Sequence, residues 1–359
     1  MDLSADQLLR HWPKDNANLA AVEVASSYRR LATYFPVAGT SRTARNLDRA
    51  RNRYRLLPAY LRAVCRDFDL FHIVDHSYAH LVHELPAGQT GVYCHDVDAF
   101  RCLLAPQTEH RSLIFRRITR WIYEGLSRAA IVFHSTKTMG RVLAENCAIP
   151  AGRLCHVPLG VDEVFFSEDR SEGTSISDRL PVRPFVLHVG SCIPRKRIDV
   201  LLNVFAKLVS SLPELRLVKI GDAWTPVQRR QIADLRLHDF VMHLGKVDRS
   251  ALIEAYRRAA ITLVPSDAEG FGLPVVEALA CGGAVLASDL PTLREAGGNV
   301  AKYAAVADIE AWLAGATDVM TNNSSEAVVK ERKDWARQFS WALHARSIAD
   351  AYSRISQTS

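Results

Sequence analysis

The stretch AAITLVPSDAEGFGLPVVEALACGG (259–283) reads as strand, loop, helix. The apolar run ends near Pro265, Pro274 suits a first helical turn, and Gly282 suits the stop. Gly270 and Gly272 permit close approach of the main chain to a ligand. Amides of the loop and of the first helical turn would then point at an anion or an ionising sugar oxygen. Glu269 precedes those amides and Glu277 follows them. Ionised carboxylates only accept hydrogen bonds, so both suit hydroxyls, one on a sugar and one on a ribose. Acceptors at each end with donors between fit a nucleotide sugar.

The same grammar runs outward. Short apolar runs at 70–76, 90–96, 129–135, 153–160, 184–191, 215–222, 241–247, 259–266 and 283–289 read as buried strands. The segments 197–212 and 250–259 have helical spacing. Alternation of this kind predicts parallel sheets covered by helices, an α/β fold. The polar stretch SEDRSEGTSISDRLPVRP (167–184) interrupts the pattern, which restarts after it. The expected organisation is a first domain over 1–166, a linker over 167–183 and a second domain over 184–340. Ser4 and Gln7 read as a capping box opening a helix over Ala5–Trp12. A helix there leaves the first domain without the initial strand that open parallel domains commonly begin with.

Composition narrows the function. Hydrophobic residues are 48% and charged residues 23% of 359, ordinary for a globular protein of two domains. No run approaches the roughly 20 apolar residues of a membrane span. The first ten residues lack a basic region followed by an apolar one, so the expected location is cytoplasmic. Seven scattered cysteines without a CxxC pair predict reduced thiols. Net charge is +6, and RTARNLDRARNRYR (42–55) concentrates six arginines around one aspartate. That segment reads either as a solvated face or as a patch for anionic lipid or a phosphate-bearing acceptor. Nucleic acid is disfavoured, because no recognition-helix motif accompanies the charge.

Arg195 and Lys196 follow a predicted strand end, where two cations would neutralise a diphosphate as charge grows on it. His95 ends another strand, where a neutral imidazole could donate to a sugar hydroxyl. His72, His76, His80, His83 and His134 read as structural or surface, and no metal-ligand cluster is apparent.

The EGFGLPxxE string resembles the signature of the family 4 glycosyltransferases, retaining enzymes of the GT-B fold. VGSCIPRKRIDVLL (189–202), GKVDRSALIEAYRRAAITLVPS (245–266) and CGGAVLASDLPTLREAGG (281–298) are similar to its other motifs, so the likeness covers most of 184–300. VYCHD, HSTKT and VPLGVD match more loosely in the first half. The resemblance implies two doubly wound, Rossmann-like domains facing a central cleft, with 341–359 forming a helix that packs back on the first domain. It implies His95, Arg195, Lys196 and Glu269 as catalytic residues. It implies Gly190, Ser191, Gly270, Phe271, Gly272, Leu273 and Glu277 as donor-binding residues. Cations replace a metal, and no cofactor is expected. The implied partners are a nucleotide-sugar donor and a glycan or lipid-linked acceptor, in cell-surface polysaccharide synthesis, with 42–55 touching the inner face of a membrane. One departure stands out: many members carry arginine after the strand glycine, where this chain has Ser191 after Gly190. With the first strand absent, a catalytically inactive partner subunit is the alternative; a nicotinamide oxidoreductase lacks its GxGxxG here.

Overall fold

The computed structural model describes residues 2–13, 19–24, 27–34, 41–107, 109–167, 179–322 and 325–356. It divides into two compact units, Met1–Val157 with His344–Ser359, and Pro158–Leu343. The expected boundaries at 166 and 340 therefore shift to 157 and 343. Of the expected linker, 168–178 lies outside the described residues.

The first unit holds a parallel sheet of four strands in the order β1 (Phe71–Ile73), β2 (Thr90–Cys94), β3 (Ile131–His134) and β4 (Leu154–His156). All five residues of β2 are buried, as a central strand covered on both faces requires. Val92, Phe100, Leu126, Val132 and Leu143 share one core. Gly91 has no room for a side chain, because Phe133 Cε2 lies 2.7 Å from where a Cβ would be and the Tyr352 hydroxyl lies closer still. Tyr352 belongs to the helix Trp341–Ser356, and its hydroxyl donates to the Phe71 carbonyl at 2.8 Å. That helix thus joins the chain's end to the first sheet.

The capping-box expectation is corrected. The first helix runs Asp2–Arg10, so Ser4 and Gln7 lie within it and Ser4 cannot be its cap. Before β1, the described residues form helices and turns, including Arg42–Arg51, Asn52–Leu56 and Leu57–Val64. Asp48, the lone acid among the arginines, is buried. It accepts from the amides of Leu31, Ala32 and Thr33 at 2.8–3.0 Å and from the Thr33 hydroxyl at 2.6 Å. Its charge is consumed in holding residues 31–33, while Arg42, Arg45, Arg49 and Arg55 are exposed and Arg51 and Arg53 are half-buried.

The second unit is a six-stranded parallel sheet: β5 (Phe185–Gly190), β6 (Arg216–Gly221), β7 (Val241–His243), β8 (Ile261–Val264), β9 (Val285–Ser288) and β10 (Lys302–Ala304). The spatial order is β10-β9-β8-β5-β6-β7. The chain builds outward from β5 on one side and from β8 on the other, so the order reverses between them. The helix Ile198–Ser211 buries Ile198, Leu201, Leu202, Phe205 and Leu208 at helical spacing against Leu217, Leu263, Leu286 and Trp312. β10, Lys-Tyr-Ala with Ala304 alone buried, lacks the large aliphatic residues that mark the other strands in the sequence.

Candidate active site

In an open parallel sheet, the loops leaving the two strands at a reversal of order diverge, and the opening between them is where ligands bind. Here those loops follow β5 and β8. They carry Arg195 and Lys196 on one side and Glu269 on the other. The main chain ties them together, since the Asp267 amide donates to the Arg195 carbonyl at 2.9 Å. Side chains complete the join: Arg195 Nη1 donates to the Ala268 carbonyl at 2.8 Å and to Glu269 Oε2 at 3.0 Å. Lys196 Nζ pairs with Glu269 Oε1, which also accepts from Ser266 Oγ at 2.6 Å. The Glu269 side chain is only 6% exposed. Burial alone would raise its pKa, but Lys196, Ser266 and Arg195 outweigh it, and the carboxyl sits below its ordinary value. Glu269 is therefore ionised, and the two cations share its charge.

Glu277 lies in the second turn of the helix Leu273–Ala280 and accepts from the Tyr256 hydroxyl at 2.9 Å. Burial pushes its carboxyl up to about 7, against the pull of that hydrogen bond. Two glutamates eight positions apart thus differ in their ionisation, because Glu269 has two cations in contact, whereas at Glu277 burial outweighs the phenol and the more distant Arg249. Between them, Gly272 adopts φ 101° and lies against Leu293 Cδ2, 2.6 Å from where a Cβ would sit. Pro274 occupies the first helical turn and Phe271 is buried against Phe339, ring centroids 5.5 Å apart. Leu273 opens the helix.

His95 follows the last residue of β2. Its Nε2 lies 2.9 Å from the Val74 carbonyl, which can only accept, so Nε2 carries the proton. The donor role expected for this imidazole is thereby corrected: Nδ1 remains, and in the neutral ring it accepts. The His95 amide donates to His76 Nδ1 at 3.3 Å. Of the other histidines, His72 Nδ1 lies 3.0 Å from the Tyr352 hydroxyl, His80 Nε2 reaches Arg53 O at 3.2 Å, and His83 Nε2 reaches Trp121 O at 3.0 Å. Among the described residues no group of three or more His, Cys, Asp or Glu is placed to hold a metal ion.

Residues 175–340 match the family model described as Glycosyl transferases group 1. The chain is 27% identical over 253 residues to a phosphatidyl-myo-inositol mannosyltransferase of Mycolicibacterium smegmatis, covering 67% of this chain and 63% of that protein. It is 32% identical over 222 residues to a D-inositol 3-phosphate glycosyltransferase of Catenulispora acidiphila, covering 56% and 51%. These matches span about half to two thirds of the relatives' lengths. Among solved structures, HepE of Anabaena in complex with UDP and glucose superposes with a TM-score of 0.70 at 18% identity, covering 85% of this chain and 83% of that one. Sucrose-phosphate synthase of Thermosynechococcus elongatus gives 0.70 at 21%, covering 84% and 78%. The fold is GT-B.

In GT-B terms, Arg195, Lys196, Glu269 and Glu277 lie in the second Rossmann-like unit, at or beside its switch point, and His95 lies at the strand ends of the first. Sequence reasoning missed Ser266, which orients Glu269, and Tyr256, which holds Glu277 from the neighbouring helix Arg249–Arg258. Ser266 was within reach of reading, three residues before Glu269. Tyr256 was not, because its approach depends on how two helices pack.

Proposed function

We propose that this protein is a retaining glycosyltransferase that moves a hexose from a nucleotide-sugar donor to a glycan or lipid-linked acceptor, without a metal. The observation that carries the reading is the Arg195–Glu269–Lys196 cluster at the switch point of the second unit. Glu269, fully ionised, accepts from sugar hydroxyls, and the main chain of 270–273 offers amides toward a leaving group. As the bond from the anomeric carbon to the diphosphate oxygen breaks, its electron pair goes to that oxygen. Lys196 and Arg195 then shift part of their interaction from Glu269 to the new charge, which favours the transition state over the bound donor. The acceptor oxygen bonds to the same carbon on the face the phosphate leaves, which keeps the donor's configuration, and its proton passes to the departing phosphate.

A lipid-linked acceptor is supported by the first unit. Arg42, Arg45, Arg49 and Arg55 are exposed, whereas Arg53 is engaged with the Ser77 carbonyl and stacks over Tyr78 at 4.3 Å. Leu113, Ile114 and Phe115, in the first turn of the helix Leu113–Arg128, are 80, 73 and 42% exposed and are followed by Arg116, Arg117 and Arg120. Exposed apolar side chains rimmed by arginine suit an anionic lipid surface. The relatives' names, a phosphatidyl-myo-inositol mannosyltransferase among them, favour this acceptor class. Among the described residues no helix is long and apolar enough to cross a membrane.

A thermal-shift screen against nucleotide sugars tests the donor reading, since a specific binder raises the melting temperature by mass action. One base and one sugar class should stand out. A flat response to every nucleotide and nucleotide sugar would reject it and favour an inactive partner subunit.

A further inference from the structure

Lys219, on β6, is fully buried. Its ammonium donates to the Gly190 carbonyl at 3.3 Å and to the Asp222 carbonyl, hydrogen-bonds the Cys192 side chain, and lies 5.2 Å from the centre of the Trp224 ring. Among the described residues no carboxylate is within hydrogen-bonding distance of it. Asp222 is exposed and stabilises the ammonium only at a distance. Burial lowers its pKa. An ammonium so placed is costly to retain unless an anion compensates it.

What surrounds it points to that anion. β5 and β6 pair with His188 opposite Lys219 and Gly190 opposite Gly221. His188 is buried, and its Nδ1 donates to the Leu263 carbonyl at 3.0 Å. Its Nε2 has no partner and sits 3.4 Å from the place a Cβ on Gly190 would occupy. Lys196 Cε lies 3.9 Å from the same place. Both lysines act on the buried His188 ring. Gly190, which has no side chain to fill the space, is thus flanked by two lysine chains and an unpaired imidazole nitrogen.

The charges at the switch point fall short of what a donor needs. Arg195 and Lys196 bring two positive charges and Glu269 removes one. A sugar diphosphate ester carries about two negative charges at neutral pH. One more cation is needed, and Ser191 stands where the family resemblance expects it.

We propose that Lys219 supplies this second net positive charge, acting from below the Gly190–Cys192 turn in place of an arginine at 191. The inference rests on the donor reading above. Lys219 forms no bond and moves no proton; it raises the potential at the diphosphate and fixes the Gly190 carbonyl, which orients the next amides of the turn.

The test uses calorimetry on the whole chain with inorganic pyrophosphate and with the nucleoside, monophosphate and diphosphate of the base selected by the thermal screen. The variants are K219M, K219R and K219M/S191R, each first shown to melt cooperatively. K219M should bind the nucleoside within about twofold of wild type but the diphosphate and pyrophosphate at least tenfold more weakly. K219R and the double variant should recover most of that loss. Undiminished diphosphate affinity in K219M would overturn the proposal, as would equal loss for nucleoside and diphosphate, which marks a structural residue. Wild-type protein that binds pyrophosphate but no nucleotide would sink the nucleotide-sugar reading and leave the anion site standing.

Discussion

Lys196 and Glu269 lie 73 residues apart in the chain and meet as an ion pair where the strand order of the second sheet reverses. Neither is fully exposed; their side chains retain 12% and 6% of their accessible surface. The pair is therefore part of the unit's internal electrostatics.

Removing one member should cost stability as well as activity. E269Q leaves Lys196 and Arg195 without their carboxylate, a loss of about 3 kcal/mol at neutral pH. Because the folded-state pKa of Glu269 lies below its unfolded value, its contribution is present at neutral pH and fades as pH falls through the carboxylate range. The melting-temperature gap between wild type and E269Q should hold from neutral pH down to the ordinary carboxyl value of 4.5 and narrow only as pH falls further. Transfer should fall by at least about 100-fold; near-normal turnover would remove Glu269 from the mechanism.

Glu277 has the opposite sign. Its carboxyl is raised from 4.5 to about 7 in the folded unit, so folding takes up a proton between those values. Its stabilising term is complete below pH 4.5 and is lost as pH rises through 7, a change of about 3 kcal/mol. E277Q should match wild type near pH 5 and melt higher at pH 8. Y256F removes the hydrogen bond that lowers this pKa, so it should move the wild-type transition to higher pH.

Gly272 combines φ 101° with contact against Leu293, whereas Gly88 has φ 81° and nothing within 4 Å of the place a Cβ would take. G88A should therefore carry backbone strain alone, about 1 kcal/mol. G272A should carry strain and collision, about 2–4 kcal/mol. Denaturant unfolding of the two variants measures the difference. Only G272A should also weaken nucleotide binding.

His95 can offer a sugar only a lone pair, because its Nε2 proton is given to Val74. Fluorine cannot donate a hydrogen bond. Among singly fluorinated donors, the one altered at the hydroxyl facing His95 should lose as much rate with wild type as the parent donor loses with H95A. Additive losses from the two changes would argue that they are separate contacts.

Anionic vesicles should sediment the protein and neutral ones should not. Arg42, Arg45, Arg49 and Arg55 changed together to alanine should weaken binding in a salt-dependent way, and L113S/I114S/F115S should weaken it at any salt. Equal binding by all variants would detach the acceptor proposal from this surface.

How much of this was legible rests on range. The loop at 268–278 could be read because its determinants are local: Gly272 where positive φ is needed, proline in the first turn, carboxylates on either side. The alternation of apolar runs likewise predicted parallel strands, since burial on both faces leaves little choice of residue. The first sixty residues misled at Ser4, where a cap-like sequence sits inside a helix. β10 escaped because Lys302, Tyr303 and Ala304 lack the Val, Ile, Leu, Met or Phe that marked β1, β4 and β7, which are equally short.

The sequence by itself determined the α/β class and the strand, loop and helix around Glu269 and Glu277. Only the tertiary structure decided which charges meet: that Glu269 receives two cations and Glu277 a phenol, that His95 spends its proton on Val74, and that Lys219 lies beneath Gly190. The reason is physical. Turn geometry is set by neighbours in the chain, whereas ionisation is set by neighbours in space, and strand order places those from far along the chain.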